Sequence, residues 1–119
     1  MSDFSEIGVI QKKLMDSTNR IYSMSGSVGQ ARQVREYDSD RRKNLLAKHS
    51  RASINAGESA AASEAIARAN PAYLAEFNAL AAQREAAERL IANWEAMHVL
   101  YEAARSMLSM KKEELKTIE

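Results

Sequence analysis

Between Asn70 and Lys116 the apolar side chains recur at three- and four-residue steps. Phe77, Leu80, Ala87, Leu90, Ile91, Trp94, Met97, Tyr101, Ala104, Leu108 and Leu115 therefore share one stripe of a helix. Asn70-Pro71 opens it, because Asn is a favoured N-cap and Pro at the first helical position has a helical φ and gives up no needed hydrogen bond. No Gly or Pro follows. At 1.5 Å per residue such a helix over 71–116 is roughly 70 Å long. That exceeds an ordinary globular helix and predicts a coiled coil or a hairpin-based assembly.

The first half of the chain is less regular. Phe4, Ile7, Val9, Ile10 and Leu14 form an apolar cluster around Gly8, read as a short N-terminal segment over 1–15. The capping run Asp16-Ser17-Thr18-Asn19 then predicts the start of a first long helix over 16–56. Ile21, Met24, Val28, Ala31 and Val34 follow the helical rhythm, and Leu45, Leu46 and Ala52 continue it inward. Gly26 and Gly29 each weaken that helix by about 1 kcal/mol relative to Ala, so they mark either a frayed half or a close helix–helix approach. Gly57 is a natural C-terminal stop, and Ser59 can cap a short alanine-rich helix over 60–69 within a linker spanning 57–70. With no β-branched run and no Asn-Gly or Asp-Gly turn, no strand is expected. The expected fold is a single all-α domain, a long helical hairpin whose two long helices are joined by a short linking helix.

Composition changes this picture in one respect. Of 119 residues 45% are hydrophobic but only 6% aromatic, and many of the rest are Ala, which favours helix while burying little area. One copy has a thin core, so a homo-oligomer with coiled-coil-like packing is expected, with Leu90, Trp94, Tyr101 and Leu108 as the seam between copies. There is no Cys, hence no disulfide, thiolate metal site or cysteine nucleophile. The start lacks a basic stretch followed by an apolar run, and no segment reaches the ~18–20 apolar residues of a membrane span. A cytoplasmic protein without a leader or membrane contact is the expectation.

The formal net charge of +1 conceals an asymmetry. Residues 1–55 carry ten Lys and Arg against six acids, a net of +4, and the remainder carries seven against ten, a net of −3. The basic excess concentrates in Arg41, Arg42, Lys43, Lys48 and Arg51, in a window from 41 to 57 without an acid. On a helix Arg32, Arg35, Arg42 and His49 fall along one arc, and Arg41, Lys48 and Arg51 along the next. Such a face suits phosphates, or it is a solvated helix face. Nothing indicates a helix-turn-helix, a zinc ligand set or a sheet of exposed aromatics, so backbone tracking of a single strand fits better than sequence readout. Tyr37 is placed to stack on a base, or to pack within the helix pair.

A second constellation is acidic. Glu95 and His98 form a Glu-x-x-His on the second long helix, the spacing used in di-iron bundles, and Glu36 lies at a comparable distance from the turn. No second Glu-x-x-His completes such a site within one chain. The Gly26-Ser27-Val28-Gly29 run lacks the Lys of a phosphate loop, and neither His49 nor His98 has an acidic orienter at triad spacing. A binding module without cofactor, rather than an enzyme, is expected.

Three stretches resemble the phage recombination mediator UvsY family. They are Met15-Asp16-Ser17-Thr18-Asn19, similar to that family's Asp-Ser-Thr start of its first long helix, and the late basic positions Arg41, Arg42, Lys43 and Lys48. The third comprises the Ala-Asn-Pro-Ala-Tyr-Leu opening at 69–74 with Glu102-Ala103-Ala104-Arg105-Ser106 and Lys111-Lys112 near the end. The alanine-rich linking segment, Gly26 and Gly29 depart from the family pattern. The resemblance implies a ring-like oligomer of helical hairpins that binds single-stranded DNA and helps a RecA-like recombinase displace single-strand-binding protein in a phage-infected bacterial cell. It carries over Arg41, Arg42, Lys43 and Lys48 as DNA contacts, and Arg51 joins them on local charge.

Overall fold

The structure, a computed structural model, describes residues 4–118. Three helices account for it: α1 (Phe4–Asn55), α2 (Ala60–Ala69) and α3 (Pro71–Ile118), with no strand among the described residues. The architecture is all-α, a long helical hairpin with a short linking helix. No described helix is long and apolar enough to cross a membrane.

The turns form where the residues demand them. Gly57 has φ +95°, a left-handed conformation that side chains resist, and it closes α1 in a Schellman motif. Its N–H donates to the Ile54 carbonyl at 3.0 Å, and that of Glu58 to the Ser53 carbonyl at 3.1 Å. Ser59 caps α2 by accepting from the Ala62 N–H at 3.2 Å. Asn70 serves two helices: its N–H donates to the Ala67 carbonyl, and its Oδ1 accepts from the Ala72 N–H at 2.9 Å.

The start of α1 differs from expectation. The helix already runs from Phe4, so the separate segment over 1–15 merges into it, Met1–Asp3 lying outside the described residues. Asp16–Asn19 is mid-helix, not a cap. The Thr18 hydroxyl turns back onto its own helix and donates to the Leu14 carbonyl at 2.8 Å, which removes the need for a terminus. What carries the helix across is an uninterrupted repeat: Ile7, Ile10, Leu14, Ser17, Ile21, Met24, Val28 and Ala31 are all buried or half-buried at alternating three- and four-residue steps.

The chain divides into two compact units. The first comprises residues 1–29 and 90–119, the second residues 30–89. In the first unit Ile7, Ile10, Val28 and Ile91 are buried. In the second, apolar burial comes from Ala31, Leu45, Ala67, Tyr73 and Ala87, and polar burial from Asp38, Ser50 and Ser63. The α1 repeat continues through the second unit but changes chemistry, as its next positions are Arg35, Asp38, Arg42, Leu45 and His49. Gly26 and Gly29 mark no close approach within the chain, since a Cβ built at either meets nothing within 4 Å.

Candidate nucleic-acid interface

The buried Asp38 carboxylate organises the middle of the second unit. Its Oδ2 accepts from Arg84 Nη1 at 2.8 Å and lies 2.7 Å from Arg42 Nη2. Beside it Arg35 grips Glu88 with two bonds, Nε to Oε1 at 2.7 Å and Nη2 to Oε2 at 2.6 Å. The Arg35 guanidinium holds the Glu88 carboxyl below the usual carboxylate range. Arg42 also lies over the Phe77 ring, 5.7 Å from its centroid. Its guanidinium is thus committed to the α1–α3 seam.

His49 belongs to the same seam. Its Nε2 is 3.3 Å from Glu76 Oε2, and its ring meets Tyr73 edge-on with centroids 5.7 Å apart. Lys48 Nζ donates to Glu76 Oε1 and Oε2 at 3.2 and 3.3 Å. Hydrogen bonds from Lys48 and then His49 lower the Glu76 pKa. The arc of Arg35, Arg42 and His49 is therefore engaged within the chain, where it neutralises acids of α1 and α3, although the two arginines stay partly exposed.

The adjacent arc faces outward. Tyr37, Arg41, Asn44, Lys48, Arg51 and Asn55 follow each other at alternating four- and three-residue steps on one exposed flank of α1. Among the described residues Arg41 and Arg51 form no ion pair, and Tyr37 is 49% exposed. Arg41, Asn44 and Lys48 line one side of a shallow groove of about 450 Å³ whose other side is Glu76, Ala79 and Leu80 of α3. The apolar strip of Leu45, Ala79 and Leu80 beside the cations resembles a stacking floor for planar groups in its chemistry, and Glu76 is the one acid of the groove lining.

The five predicted cations are thus divided. Arg41, Lys48 and Arg51 share the outward flank. Lys43 lies on the opposite flank of α1, in a groove of about 460 Å³ with Arg42, Arg68, Tyr73, Leu74 and Phe77. Sequence reasoning did not single out Asn44 or the Ala79–Leu80 floor. Asn44 was findable, since it sits at the missing step between Arg41 and Lys48, but the floor depends on which face of α3 docks.

The other predicted residues have different surroundings. Leu90, Trp94, Tyr101 and Leu108 are half-buried on the stripe that also holds the buried Ala87 and Ile91, the stripe that closes the chain's own helix pair. These side chains pack within the chain's own helix pair, and the part of each that stays exposed is what a second copy could cover. Glu36 is exposed, and His98 packs against Trp94 with ring centroids 4.2 Å apart. Among the described residues no three His, Asp or Glu converge as a metal ion requires, so Glu36, Glu95 and His98 make no di-iron centre within the chain. No family model, no curated protein and no solved structure matches this chain.

Proposed function

We propose that the protein binds single-stranded DNA, assembles as a homo-oligomer and acts as a recombination mediator that assists a RecA-like recombinase against single-strand-binding protein in the bacterial cytoplasm. The carrying observation is the outward flank of α1, where Arg41, Lys48 and Arg51 repeat beside the exposed ring of Tyr37. Cations at about one per helical turn match a phosphate chain, and an aromatic ring with an apolar strip beneath accommodates bases without reading them. On this reading the protein is a binding module, not an enzyme. Lys43 adds to the field from the opposite flank, while Arg42 serves the fold.

Fluorescence anisotropy of a labelled oligonucleotide across a salt series tests this. Each phosphate contact contributes about 0.7 to the slope of log affinity against log salt, so Arg41→Ala/Lys48→Ala/Arg51→Ala should flatten the slope by about 2. Arg42→Ala should lower thermal stability more than affinity. Absence of binding at low salt, or a slope unchanged in the triple variant, sinks the reading.

A purely structural coiled-coil protein, an assembly or scaffolding component, is the second reading. It is favoured by the exposed Phe4, Met15 and Tyr22 on α1, which lie outside the basic flank.

A further inference from the structure

The first unit is built from α1 and α3 alone, and it carries most of the exposed large apolar side chains. Of the twelve exposed large apolar side chains among the described residues, eight lie here. On one face of this unit α1 and α3 leave an open groove in three connected stretches of about 350, 390 and 430 Å³. The first two share Ile10, Lys13 and Met107, and the last two share Arg20 and Leu100. From Ser5 to Ser23 along α1 the groove extends about 27 Å, enough for five turns of a helix.

Its α3 wall continues outward as a second apolar stripe. At 100° per residue, Ala96, Val99, Leu100, Ala103, Met107 and Met110 occupy an arc of about 100°, separate from the seam of Trp94, Tyr101 and Leu108. Val99, Leu100, Met107 and Met110 are 50–69% exposed. An amphipathic helix with apolar stripes on two faces is made for two neighbours, and the chain supplies one.

Charge selects the second neighbour. The α1 rim of the groove carries Lys13 and Arg20, seven residues apart and without ion pairs among the described residues, with Asp16 between them, so the rim is net positive by one charge. Beyond the outer apolar arc of α3 stand Glu95 and Glu102, also seven apart. Among the described residues Glu95 has no ion pair, and Glu102 makes only an exposed contact with Arg105 at 3.7 Å. Because α1 and α3 run antiparallel, a two-fold rotation that lays α3 of one copy along α1 of another matches Arg20 with Glu95 and Lys13 with Glu102, twice over.

We infer that this groove seats the outer face of α3 from a second copy of the chain, giving a two-fold four-helix contact with Leu100 and Met107 at its centre. The contact rests on the self-association in the proposed function and specifies where copies meet, independently of DNA.

Light scattering coupled to size exclusion, on the full chain over a concentration series, tests it. The wild type should show the mass of two chains or a multiple of it. Leu100→Lys/Met107→Lys should shift to one chain at concentrations where the wild type is associated, with helical circular dichroism retained. Lys13→Glu, on the exposed rim, should weaken association without touching the apolar floor, and Lys13→Glu/Glu102→Lys should restore it. A wild type that associates as strongly as all of these variants overturns the groove contact while self-association stands. A wild type at the mass of one chain throughout overturns both, and leaves the groove to an acidic helix of another protein.

Discussion

Replacing Asp38 with Ala removes the one buried carboxylate at the centre of the second unit and strands the two guanidiniums that converge on it. A charge-assisted hydrogen bond contributes about 1.5–3 kcal/mol, so loss of the contacts to Arg84 at 2.8 Å and Arg42 at 2.7 Å removes at most about 6 kcal/mol. Both arginines are 42% exposed, however, and regain water once the carboxylate is gone. The lower end of the range therefore applies, and the expected loss is about 3 kcal/mol. For a chain of this length that lowers Tm by roughly 12 °C. Urea unfolding followed by circular dichroism at one fixed protein concentration measures it, since self-association would otherwise shift the midpoint. Arg84→Ala alone should cost about half as much, and the double variant should fall short of additivity by about 1–2 kcal/mol. A loss below about 0.5 kcal/mol for Asp38→Ala, or strict additivity with Arg84→Ala, would refute the view that this polar layer holds α1 to α3.

Two further predictions concern glycine and pH. Gly57→Ala should destabilise by about 1 kcal/mol because φ is +95° there, whereas Gly26→Ala, in open helical surface, should stabilise a single chain by about the same amount; opposite signs in thermal unfolding are the check. The depressed carboxyls of Glu76, held by Lys48 and His49, and of Glu88, held by Arg35, bind protons more readily in the unfolded chain. Their contribution is present above about pH 4.5 and disappears as pH falls below it, so Glu76→Gln/Glu88→Gln should flatten the stability profile between pH 5 and 3.

How much the sequence revealed depended on whether a signal is local. Asn70-Pro71, Gly57 and Ser59 were readable because caps and left-handed turns are decided by the residues at the turn. The beginning of α1 was misjudged for a related reason. Asp16–Asn19 has the composition of a cap, but in a helix already nucleated by Ile7, Ile10 and Leu14 its hydroxyl finds a partner one turn back. The basic window around Arg41 was visible as charge, yet its division was not. Only the docking of α3 brings Arg84 and Phe77 against Arg42, and Glu76 against Lys48, leaving Arg41 and Arg51 outside.

The sequence by itself determined that the chain is helical, where it turns back and which stripe of α3 is most apolar, because propensity, capping and period act over a few residues. Tertiary structure decided what each stripe meets. It placed Trp94, Tyr101 and Leu108 on the seam of the chain's own hairpin and turned half of the basic arc inward onto Asp38 and Glu88. It left the Leu100–Met107 face of α3 open. The physical reason is that a helix with two apolar faces and a basic flank has several equivalent ways to bury area. Register with the opposing helix, set here by a buried carboxylate between arginines, chooses among them.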